Sequence, residues 1–92
     1  MIVQVRAFAW MREIFGAERT LEVPEGAALS TLLQVLGEES GAAHRALFDG
    51  GGALNGHVVL MLNRKRVNHA DVPALTLAAG DEVALFPPVA GG

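Results

Sequence analysis

The sequence closes on FPPVAGG, which sets two glycines behind a proline-stiffened apolar segment. Gly91 and Gly92 carry no Cβ atoms, so they form a tip thin enough to thread a narrow channel. The free α-carboxylate of Gly92 could then reach a distant catalytic centre on another protein, which makes it the candidate reactive group. Pro87 and Pro88 favour an extended path and interrupt a hydrogen-bonded ladder, so residues 87–92 are expected to leave the body as an extended flexible tail.

The rest of the chain offers little competing chemistry. It has no cysteine, which removes disulfides, thiolate metal sites, side-chain persulfides and thiol nucleophiles together. His44, His57 and His69 have no i, i+4 pairing and no neighbouring carboxylate motif of the kind that holds zinc, so no metal site is expected. Gly50 to Gly52 lack the preceding strand and the spacing of a phosphate-binding loop. Asp81 and Glu82 read as the turn GDE, not as an acid–base pair. With no triad, paired carboxylates or cofactor motif, a non-catalytic carrier or binding module is expected, with no cofactor bound by this chain.

The elements that must position the tail follow from periodicity. IVQVRAF alternates, with Val3, Val5 and Ala7 on one face and Gln4, Arg6 and Phe8 on the other. AWMREIFG gives a short helical turn stopped at Gly16, and TLEV gives a second strand ending at PEG, so the pair reads as a hairpin. Leu29, Leu32, Leu33 and Leu36 recur at helical spacing and define the main helix, with Gly37 placed as its C-cap. A weaker helix around AHRALFD precedes a glycine-rich loop. HVVLMLN is apolar on both faces, as expected of a central strand covered twice. A basic turn, a proline-bounded connector, the turn AAGDE and a last strand EVALF complete an α+β domain. It spans residues 1–92 as a single unit, with one main helix across a mixed sheet of four to five strands.

In that last strand Val83 and Leu85 share one face and Glu82, Ala84 and Phe86 the other. If the helix covers the Val3, Val5, Val83 and Leu85 side, the opposite face offers Phe8 and Phe86, joined by Val59 and Met61, as a partner-binding surface that continues into Pro87 and Pro88. The alternative is that the glycine-rich loop or the short helix covers these side chains. The formal net charge of −3 leaves no basic footprint for nucleic acid, and no apolar run approaches membrane-spanning length, so neither partner is expected and a cytoplasmic address is.

Taken together, VRAFAWMREIFG, LEVPEGAALSTLLQVL, VVLMLNRKRV and LAAGDEVALFPPVAGG resemble the ubiquitin-like sulfur carriers of the MoaD and ThiS family, and the ending is most similar to MoaD-type members, the small subunits of molybdopterin synthase. The resemblance implies a β-grasp fold. It implies that an E1-like, MoeB-like enzyme adenylates Gly92 using ATP and magnesium, that a sulfur donor protein converts the adenylate to a thiocarboxylate, and that Gly91 gives clearance for threading. It implies a MoaE-like large subunit as acceptor. It also places Arg12 near the partner surface, the alternative being a solvated charge. Where the family often has a small turn after the third strand, this chain has NRKRVNH, whose Arg64, Lys65 and Arg66 either touch an acidic partner or stay solvated. Other acceptors, such as cysteine, thiamine or tRNA thiolation, stay open. So does a ubiquitin-like modifier role, for which Lys65, the sole lysine, limits chains of the protein on itself.

Overall fold

In the computed structural model, which describes residues 1–87, the first strand β1 (Ile2–Ala7) buries Val3, Val5 and Ala7 and leaves Gln4 exposed, as its alternation requires. A short helix α1 (Met11–Phe15) lies inside the connection that follows and delivers Met11 and Phe15 to the core. It stops at Gly16, whose φ of +86° is open to glycine at no steric cost. β2 (Glu18–Glu22) begins before TLEV and ends short of Val23; it pairs antiparallel to β1 with Leu21 opposite Val3.

The leucine stripe forms α2 (Leu29–Gly37), with Leu29, Leu32, Leu33 and Leu36 between 0% and 1% exposed. Gly37 is not the cap: it is the last helical residue, and the chain continues through Glu38 at φ −84° with no left-handed stop. Glycine stands there for a different reason. A Cβ at position 37 would meet Cε2 of Phe48 at 2.6 Å, so the ring occupies the space a side chain needs. The weaker helix is α3 (Gly41–Leu47), capped by Ser40, whose Oγ accepts the Ala43 N–H at 3.0 Å. In the glycine-rich loop beyond it, an Asp49 carboxylate oxygen accepts the N–H groups of Gly51 and Ala53 at 2.8 and 3.1 Å.

β3 (Val59–Leu62) and β4 (Lys65–Val67) form a hairpin around Asn63 and Arg64, at φ +51° and +69°. The basic turn is therefore a two-residue turn plus a strand: Arg64 lies in the turn, and Lys65 and Arg66 fall on opposite faces of β4. A 3₁₀ segment, His69–Ala74, provides the proline-bounded connector, and β5 (Glu82–Phe86) matches EVALF.

The sheet order is β2-β1-β5-β3-β4, with β1 and β5 parallel and the remaining pairs antiparallel. One hydrophobic cluster joins Val3, Val5, Leu60, Val83 and Leu85 to the leucines of α2 and to Leu47 of α3. The expectation that β3 is covered on both faces is not met: Leu60 is buried, whereas Val59 and Met61 on the other face are only half-buried. The apolar residues there belong to a surface. At the β2 edge, Arg19 clasps Glu39 with both terminal guanidinium nitrogens, at 2.7 and 2.6 Å, tying the strand to the α2–α3 link. This hydrogen-bonded contact lowers the Glu39 pKa below its ordinary value and raises that of Arg19.

Candidate functional site

The sheet face away from the helices is organised by register. β1 aligns Arg6 with Ala84 and Ala7 with Leu85, and the Phe8 N–H continues the ladder onto the Leu85 carbonyl at 3.0 Å. Phe8 thereby arrives beside Phe86. The two rings stack with centroids 4.3 Å apart and planes 4° from parallel. Both are half-buried. On the other side of β5, Val59 lies opposite Phe86 and Met61 opposite Ala84. The face thus brings Phe8, Phe86, Val59 and Met61 together, with Ala84 closing the gap among them at 7% exposure.

Arg6, half-buried, holds its guanidinium carbon 5.3 Å from the Phe8 ring centroid, a cation–π contact that braces the stack from the β1 side. Sequence reasoning placed Arg6 on this face but gave it no role. The available signal was its i, i+2 relation to Phe8 on a strand. Arg12, the arginine expected near the surface, is exposed on α1, and its side chain makes no hydrogen bond or ion pair among the described residues. Trp10, also unassigned from sequence, is 48% exposed just after Ala9, which adopts a φ of +53°.

What fixes Phe86 in this register is the turn that starts β5. Asn63 donates its side-chain N–H to Asp81 Oδ1 at 2.9 Å and accepts the Glu82 N–H at 2.9 Å, while Asp81 Oδ2 accepts the Ala78 N–H at 2.8 Å. Asp81 is a turn-forming residue, as its sequence context indicated. Pro87 is buried and so belongs to the body of the domain at the end of β5. Pro88, Gly91 and Gly92 lie outside the described residues.

The histidines have local partners. His69 Nε2 lies 2.5 Å from the Val58 carbonyl, the His44 ring packs 5.3 Å from Phe48, and the His57 backbone N–H donates to Asn55 Oδ1 at 3.2 Å. Among the described residues no helix is long and apolar enough to cross a membrane. Chemically, the arrangement offers a binding face, with a stacked aromatic pair flanked by aliphatic side chains at the end of the strand that leads to the tail.

The model of the ThiS family matches residues 5–92. The chain is 37% identical over 94 residues to small archaeal modifier protein 3 of Haloferax volcanii, with all of both chains covered. It is 38% identical over 94 residues to the molybdopterin synthase sulfur carrier subunit of Chlamydomonas reinhardtii, again with all of both covered. Among solved structures, the crystal structure of SAMP1 from Haloferax volcanii matches with a TM-score of 0.85 at 29% identity, covering the whole of each chain. The five-stranded mixed sheet with helices on one face is the ubiquitin-like β-grasp fold.

Proposed function

The chain belongs to the ThiS family of ubiquitin-like carriers and modifiers, and from that premise we propose that it is a sulfur carrier working as the small subunit of molybdopterin synthase in molybdenum cofactor biosynthesis. In this reading an E1-like adenylating enzyme binds the Phe8–Phe86 face and receives the tail. The Gly92 carboxylate attacks the α-phosphorus of ATP and releases pyrophosphate. The terminal sulfur of a donor protein's persulfide then attacks the activated carbonyl and displaces AMP, forming an acyl disulfide, and a thiol reductant cleaves its S–S bond to leave the thiocarboxylate on Gly92. The loaded tail next enters a MoaE-like large subunit, which catalyses transfer to the pterin. The chain itself is co-substrate: it supplies a docking face and a reactive end, and its partners hold the nucleotide and metal.

The observation that supports this reading best is the stacked Phe8–Phe86 pair on an otherwise solvated sheet face, at the end of the strand leading to Gly91 and Gly92. A half-buried parallel aromatic stack bordered by Val59 and Met61 is the kind of anchor that dominates protein interfaces. Incubation with the E1-like enzyme, ATP, magnesium and a sulfur donor, followed by intact mass and fragmentation of the C-terminal peptide, tests it. The expected result is replacement of one oxygen by sulfur at Gly92. Deleting Gly92 is expected to abolish loading without unfolding the domain, and loading retained by the truncated chain would exclude the terminal carboxylate.

A second reading is protein modification, favoured by the equally close similarity to an archaeal modifier protein. The same mass analysis, made on protein from its native cell, separates the two: an isopeptide between Gly92 and a lysine of another protein would place conjugation first.

A further inference from the structure

Two arginines close the ends of one cross-strand row on the candidate face. Register aligns Arg6 of β1 with Ala84 of β5, Ala84 with Met61 of β3, and Met61 with Arg66 of β4. Aligned residues in neighbouring strands share a face, so Arg6, Ala84, Met61 and Arg66 all lie on the side away from the core. Three interstrand steps of about 4.8 Å put the outer two backbones roughly 14 Å apart. Between them lies an uncharged strip of Ala84 and Met61, and the adjacent row is Phe8, Phe86 and Val59.

Neither arginine forms an ion pair among the described residues. Glu18 stands opposite Arg6 in the β1–β2 register, yet the ion pair among the described residues is Arg19 with Glu39. Arg6 spends its cation on the Phe8 ring instead, and Arg66 is exposed on the edge strand. Of the other acids on this face, Glu22 lies opposite Ile2 and Glu82 opposite Gln4, away from the aromatic pair, while Glu18 flanks Arg6 on β2.

We infer that Arg6 and Arg66 form a charge bracket that orients a protein partner carrying carboxylates on both sides of an apolar ridge, with the ridge seated on Ala84, Met61 and the Phe8–Phe86 stack. This rests on the reading of the face as a carrier's docking surface and adds to it what selects the partner and sets its rotation. A single cationic point would leave the partner free to turn about the aromatic anchor, whereas two points on opposite sides fix it. A polyanion such as single-stranded nucleic acid fits less well, because the acids on the β2 side repel a continuous line of phosphates.

The test is the association rate of the full chain with the E1-like adenylating enzyme, measured at low and physiological ionic strength for wild type, Arg6→Gln, Arg66→Gln and the double variant. Arg6→Lys is included to separate charge from ring stacking. Each glutamine variant is expected to slow association about three- to tenfold at low salt and to flatten its salt dependence, with dissociation changing less; lysine at position 6 is expected to restore most of the rate. Unchanged association in both single variants, a wild-type rate indifferent to salt, or equally strong binding to a single-stranded oligonucleotide would overturn the bracket.

Sulfur loading of wild type at saturating enzyme is read in parallel. Normal loading with unaltered variant rates removes the bracket and keeps the carrier. If wild type is never loaded, the carrier reading fails, and the bracket is decided by an amide-shift titration with a leucine-rich peptide ending in glutamates. Shifts confined to Arg6, Phe8, Met61, Arg66, Ala84 and Phe86, and absent with a lysine-ended peptide, uphold it; any other pattern overturns it.

Discussion

At the scale of single residues, Phe86 shows how a side chain can belong to the surface and still be ordered. Its ring lies parallel to Phe8 at 4.3 Å, so each ring is shielded on one side by the other, and Arg6 lies over the Phe8 ring as well. A stacked pair of this kind contributes about 0.5–1.5 kcal/mol beyond the area it buries. Phe86→Ala is therefore expected to lower the unfolding free energy by about 1–2 kcal/mol and to leave the β-grasp intact, because the core on the opposite face, with Val83 and Leu85 at 0% exposure, is untouched. The effect on association is expected to be larger, at about 2 kcal/mol or more, roughly thirtyfold in Kd, for each partner in turn. Urea unfolding and calorimetric titration of the same variant check both figures. A collapse of the circular dichroism signal would make Phe86 a core residue and remove it from the docking face. This parity was legible in EVALF because strand side chains alternate strictly. The contact between Arg6 and Phe8 was only half legible, since their i, i+2 spacing puts both on one face but does not say where a long guanidinium lies.

At the scale of elements, two positions conflict with local preference, and each conflict has a visible cause. Gly37 sits inside the last turn of α2, where alanine would normally be better by about 1 kcal/mol. The Phe48 ring, 2.6 Å from the absent Cβ, reverses that preference. Gly37→Ala is expected to destabilise by about 1–3 kcal/mol, as overpacking does. In a Phe48→Ala background the same change is expected to become neutral or stabilising, and a double-mutant cycle measures the reversal. Arg64 holds φ +69° as the second residue of the β3–β4 turn, a conformation glycine adopts without strain. Arg64→Gly is expected to raise stability by about 0.5–1 kcal/mol, read as a higher urea midpoint at unchanged slope. The stripe of α2, the alternation of β1 and β5 and the AAGDE turn were readable because each is a local pattern with one physical cause. The role of Gly37 was not, because its partner lies eleven residues further along and reaches it only after α3 has folded back. β4 was hidden for a related reason: three cations in a row resemble a solvated turn, and only pairing with β3 makes Lys65 and Arg66 a strand.

At the scale of the whole molecule, the clasp between Arg19 and Glu39 ties the β2 edge of the sheet to the helical layer. The contact is bidentate, yet both side chains are 32% exposed, so solvent screening limits it to no more than about 1 kcal/mol. Its dependence on pH has a definite sign. Hydrogen bonding by Arg19 lowers the pKa of Glu39 in the folded state below its ordinary value of 4.5, so the unfolded chain takes up the proton first as acid is added. The stabilisation is therefore complete above the unfolded value and is lost as pH falls through the lower folded value. Arg19, whose pKa the same contact raises further above the neutral range, stays charged throughout and adds no dependence in this range. Glu39→Gln is expected to cost about 0.5–1 kcal/mol at neutral pH, with the difference from wild type shrinking toward zero on the acid side of the carboxylate range and also at high salt. Urea midpoints of the two proteins across that range measure it directly. A difference that persists in acid would mean that Glu39 acts through packing of the α2–α3 link and not through its charge. Because the clasp lies on the side of the sheet remote from the β3–β4 edge, Glu39→Gln is expected to leave partner association unchanged. The same variant thus separates the stability of the fold from the chemistry of its docking face.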